Sequence, residues 1–114
     1  MANFKTINIE EGMPTIEEAR KKVIEILNTA KKEKILVIKL IHGYGSSGAG
    51  GGLKEALRKS LLKRRKEGII KDFIIGEKWS IFNTETTLWL ERCTFMRNDS
   101  DLNNNNPGIT LIFL

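Results

Sequence analysis

The chain has 114 residues, 40% of them apolar and 29% charged, a balance that suits a single soluble globular domain over residues 1–114. Its lone cysteine, Cys93, excludes an internal disulfide framework and cannot make a zinc site unaided. A formal charge of +5 favours a polyanionic partner such as nucleic acid, through counterion release and electrostatic steering.

No apolar run approaches the ~20 residues that a membrane span needs. Met1–Glu10 carries one lysine and no long apolar block, so it does not read as a signal peptide. These features point to a cytoplasmic protein without a membrane partner.

Phe4 to Ile9 alternates in the manner of a short strand. Gly12-Met13-Pro14-Thr15 breaks it, and Thr15 with Glu18 three residues on forms a capping box. Ile16, Ala19, Val23, Ile26, Leu27 and Ala30 follow helical spacing, which predicts a helix over Ile16–Lys32. Ile35–Ile41 is a nearly continuous, β-branched apolar run and reads as a central strand buried on both faces. A glycine-rich stretch, His42 to Gly52, follows at once. Leu53, Leu57 and Leu61 then set a second helix, and Gly68 fits the position after its end where a left-handed residue is wanted.

Ile69–Ile75 predicts another strand. Asn83 or Thr84 can cap a short third helix through about Cys93. Asn103–Asn106 with Pro107 and Gly108 is turn material, and Ile109–Leu114 closes the chain as a strand. The order β-α-β-α-β-(α)-β predicts a two-layer α/β sandwich with a four-stranded sheet, mixed or mostly parallel.

The strongest local signal is strand, glycine loop, helix. Glycines let a backbone approach a phosphate, and free amides at a helix start favour anions. Lys54 and Arg58 stand in the first turns of that helix. The loop lacks the Gly-Lys-Ser/Thr ending of a Walker loop and the placement of a dinucleotide fingerprint. It can serve as a phosphate cradle or as a solvated connector. His42, the only histidine, can act there as general acid or base, or as a structural residue. Tyr44, set between two glycines, can stack on a base or pack locally. Trp79 and Trp89 read as core or lid residues. Asp99 and Asp101 alternate and could hold a divalent metal such as Mg or Mn, or simply be solvated with Arg97 as an ion-pair partner. On the second helix, Lys54, Arg58 and Arg65 occupy neighbouring rows and are expected to contact phosphate.

Ile38–Gly45, followed by Leu53-Lys54-Glu55-Ala56-Leu57, resembles the Smr (small MutS-related) domain family, which carries an apolar strand, His-Gly-x-Gly, a Gly/Ser-rich loop and a helix. Thr15–Ala19 is similar to the family's first-helix opening, and Pro107–Ile112 to its closing strand. The resemblance implies an α/β sandwich that binds DNA or RNA, in some members as a nicking endonuclease. It implies a site at His42, Gly43 and Gly45. Tyr44, Ser46, Ser47, Lys54, Arg58, Arg65 and Arg97 are the further expected nucleic-acid contacts. Many Smr domains end their first strand Leu-Asp-x-His-Gly. Here Asn8 replaces the acid, and Glu10 or Glu11 stands where the histidine would be. A carboxylate there can still act as a base, so His42, Glu10 and Glu11 form the expected catalytic set. The same departure leaves open a binding module without catalysis, and the loop leaves open a binder of small phosphorylated ligands.

Overall fold

A computed structural model describes residues 3–44 and 52–114. Helix α1 (Ile16–Lys32) starts at the expected capping box: the Thr15 hydroxyl accepts from the Glu18 amide at 3.1 Å, and the Glu18 carboxylate accepts from the Thr15 amide at 3.2 Å. It stops where Lys34 turns left-handed (φ +60°) and the Ile35 amide reaches back to the Ala30 carbonyl. Helix α2 (Leu53–Lys66) ends in the same way, with Gly68 at φ +77° and the Ile69 amide on the Arg64 carbonyl. These two endings consume residues that the sequence pattern assigns to strands. The strands therefore begin later than expected, as β2 (Val37–Ile41) and β3 (Asp72–Ile75).

Two further strands, β1 (Phe4–Asn8) and β4 (Ile109–Phe113), complete a four-stranded mixed sheet in the order β1-β2-β4-β3. Strand β1 runs parallel to β2, whereas β4 is antiparallel to both of its neighbours. A crossover helix follows β1 and another follows β2, so the sheet carries α1 and α2 as one layer. Ala19, Val23 and Leu27 of α1 and Leu53, Leu57 and Leu61 of α2 pack there on Ile38, Leu40 and Ile112.

The far face is covered by the chain between β3 and β4. This segment holds a 3-10 turn at Gly76–Lys78, helix α3 (Thr84–Arg92, capped by Asn83) and a second 3-10 turn at Thr94–Asn98. Its core is aromatic: Trp89 stacks on Phe113 with ring centroids 4.3 Å apart, and Trp79 is fully buried beside the same ring. Trp79 is thus a core residue, and Trp89 is half-buried against that core. Cys93 is buried there too, and that burial pushes its thiol pKa up. Among the described residues, no helix is long and apolar enough to cross a membrane.

Candidate nucleic-acid interface

Side-chain alternation along β2 sends Ile38 and Leu40 toward α1 and α2, and Val37 and Lys39 toward α3. His42, just past the strand, continues the first set. Its amide and that of Gly43 both donate to the Gly108 carbonyl, at 3.0 and 3.1 Å, which ties the end of β2 to the approach of β4.

The His42 imidazole is 1% exposed, and both of its nitrogens are occupied. Nδ1 lies 2.8 Å from the Gly43 carbonyl and Nε2 2.9 Å from the Thr110 hydroxyl. A carbonyl can only accept, so Nδ1 carries the proton, and with the ring neutral Nε2 is the acceptor. The Thr110 hydroxyl must then donate to Nε2, while its oxygen accepts from Arg58 Nε at 3.1 Å. In the neutral imidazole the chain of donors runs Arg58 to Thr110 to His42 to Gly43. Burial, aided by the charges of Arg58 and Lys54, pushes the His42 pKa down to about 4, despite the Gly43 bond and the Glu77 charge.

Arg58 is the hub of this edge. Beyond Thr110 it makes a two-pronged pair with Glu77, at 3.0 and 2.7 Å, and donates to the Pro107 and Ile109 carbonyls. Lys54 reaches the same carboxylate at 3.0 Å. Burial alone would raise the Glu77 pKa, but hydrogen bonds from Arg58, its own backbone and Lys54 carry it down to about 2. Glu77 reaches this position because Gly76 has no side chain: a Cβ there would overlap the Asn106 carbonyl.

Gly43 adopts φ +76°, and a Cβ on it would overlap the Glu10 carboxylate. Glu10 is therefore brought against the His42–Gly43 turn. Glu11 is exposed. Asn8, which stands in place of an acid, accepts from the Glu10 and Glu11 amides at 2.9 and 3.2 Å and so builds the turn that delivers Glu10. Tyr44 is 63% exposed, with one ring edge near Gly108.

The other expected site residues lie elsewhere. Arg65, two helical turns beyond Arg58, pairs with Asp72 at 3.0 Å at the far end of α2. Arg97 sits in the second 3-10 turn, on the α3 face of the sheet and not the His42 face. Asp99 and Asp101 also belong to that face. Each places a carboxylate oxygen 2.6 Å from the Lys39 ammonium, which the β2 alternation buries there. That ammonium takes the place a divalent metal would need. Desolvation by itself would lower the Lys39 pKa, yet the two carboxylates raise it overall. Among the described residues, no group of three or more His, Cys, Asp or Glu side chains could hold a metal ion. Gly45, Ser46 and Ser47 lie outside the described residues.

The Smr domain family model matches residues 11–77, more than half of the chain. The chain belongs to the Smr domain family. Smr domains are known for nucleic-acid binding and for nicking endonuclease activity. No curated protein and no solved structure matches this one. The matched stretch holds His42, Gly43, Lys54, Arg58 and Glu77. Thr110 lies in β4, beyond the match, and completes the His42 network from there. Sequence reasoning missed Thr110 and Glu77 in this Smr domain. A lone basic residue set within the apolar run of β2 was the available signal for the Lys39 ion cluster.

Proposed function

We propose that residues 1–114 act as one Smr domain that binds nucleic acid at the edge where β2, β4 and the start of α2 meet. Tyr44 stacks on a base, Lys54 meets the sugar–phosphate backbone, and His42 positions the turn instead of moving a proton. The observation that carries this reading is the exposed Tyr44 ring, two residues beyond a fully engaged His42. Gly52 at the cap of α2 offers no side chain to the first amides of the helix, a place where an anion is favoured. A proton-transfer role would require His42 Nε2 to abandon Thr110 and reach solvent from a buried position.

One observation favours the second reading, a nicking endonuclease. The Glu10 carboxylate is exposed and seated on Gly43, where it can orient a water. Both readings are tested together by fluorescence anisotropy on single-stranded and duplex oligonucleotides and by nicking of supercoiled plasmid with magnesium or manganese. Tyr44→Ala is expected to weaken single-strand binding about fivefold or more, given about 1–3 kcal/mol per stacked base. No nicking dependent on Glu10 or His42 is expected. Nicking by the wild type that Glu10→Gln abolishes, with binding retained, establishes the second reading in place of the first. Absence of binding at low salt refutes both.

A further inference from the structure

The cations of α2 divide into two sets. Lys54, Arg58 and Arg65 face β3, and each has a carboxylate partner. Lys59, Lys63, Arg64 and Lys66 face the other way, toward α1, and with Arg20 of α1 they line a groove of about 540 Å³. Among the described residues, none of these five cations is in a salt bridge, and no carboxylate lines the groove. Arg64 Nε is buried without a hydrogen-bond partner among the described residues. A buried guanidinium donor with no acceptor is unfavourable, and an anion in the groove supplies one after a small rotation of the side chain.

The groove also points back to the loop. The starts of α1 and α2 lie side by side, since a Cβ on Gly52 would stand 3.1 Å from Ile16 Cδ1. Lys59, Lys63 and Lys66 succeed one another at spacings of four and three along α2, so they form one row leading away from the helix start. At about 1.5 Å per residue, that row and the cap at Gly52 together span about 20 Å. That length accommodates several consecutive phosphates.

We infer that the groove between α1 and α2 is a second phosphate track, which carries the backbone of a nucleic acid away from the His42–Tyr44 edge. The inference rests on the proposed nucleic-acid binding and adds where the ligand runs. Cations paired internally must break those pairs to meet phosphate, whereas the groove cations need not. The groove therefore provides most of the salt-dependent affinity, and the loop edge provides base contact.

The test compares the triple variant Lys59→Gln/Lys63→Gln/Lys66→Gln with Lys5→Gln/Lys71→Gln/Lys78→Gln, whose net charge is the same. All six positions are exposed, and none of the control positions lines the groove. Circular dichroism checks that both variants fold. Affinity for a long oligonucleotide is measured between 50 and 200 mM salt. Loss of three phosphate contacts should flatten the slope of log affinity against log salt by about 2 to 3. The fall in affinity across that range then shrinks about twenty- to forty-fold, while the control retains the wild-type slope. Wild-type binding with equal slopes in the two variants overturns the inference and leaves the loop-edge reading intact. Wild-type failure to bind nucleic acid refutes the underlying reading instead. Loss of binding to anionic vesicles in the groove variant, with oligonucleotide binding unchanged, makes the groove a lipid-facing surface and also overturns the inference.

Discussion

Lowering the pH from 6.5 to 4.5 should destabilise this protein chiefly through His42. The unfolded imidazole takes up its proton near 6.5, whereas the folded one, buried in its neutral form, resists until about 4. Between those values the unfolded state binds more protons, so stability is complete above 6.5 and is lost as the pH falls. Each unit is worth about 1.36 kcal/mol, which gives about 3 kcal/mol over the whole interval and somewhat less down to pH 4.5. That is a large share of the about 5–15 kcal/mol that holds a typical domain folded. The attribution is unusually clean because the chain has one histidine. The Glu77 carboxyl, held at about 2 when folded against 4.5 ordinarily, contributes stability that is present above pH 4.5 and lost only below it. Urea unfolding followed by circular dichroism at half-unit steps from pH 4.5 to 7.0 reads the slope. His42→Gln should be less stable at neutral pH and nearly flat across the same interval. A wild-type curve as flat as that of the variant, or an imidazole NMR titration centred near 6.5, refutes the buried neutral assignment.

Lys39→Ala leaves Asp99 and Asp101 facing each other without their cation, and should cost about 3–5 kcal/mol in urea unfolding at neutral pH. Gly43→Ala incurs about 1–2 kcal/mol for the left-handed backbone, plus the overlap with Glu10. Adding Glu10→Ala should restore only the overlap part, and a full rescue would show that φ +76° carries no strain. Arg58→Lys keeps the charge but loses the fork to Glu77 and the bond to Thr110. A loss of about 2–3 kcal/mol is expected by thermal unfolding, and an unchanged melting temperature would mean that Arg58 is not the hub of this edge.

Much of the fold was legible because its signals are local. The Thr15–Glu18 box, the apolar stripe of α1, the doubly buried run of β2 and the glycine after α2 each act over a few residues. Strand starts were misread where Ile35 and Ile69 look β-branched but finish the helix ends before them. The candidate site was legible only in part. Chain position placed His42, Gly43 and Tyr44 together beyond β2. It could not show that Thr110, 68 residues further on, accepts Arg58 and occupies His42. Spacing on α2 puts Lys54, Arg58 and Arg65 against phosphate, yet these three face carboxylates and the cations on the other side of the helix do not. That difference is set by Asp72 and Glu77 on the β3 side, which helical periodicity alone does not contain.

Strand β4 has a consequence for the order of assembly. It lies between β2 and β3, so β3 has no sheet partner until β4 inserts. The same insertion brings Thr110 to His42 and the Pro107 and Ile109 carbonyls to Arg58. A nascent chain that has emerged only as far as α3 can form the β1–α1–β2 unit, but not the organised edge around His42. Long-range pairing of this kind is slow to form compared with local helix and turn contacts. Synthesis therefore provides its own timing: the edge stays unassembled while α1, α2 and α3 emerge and takes its shape only when β4 inserts.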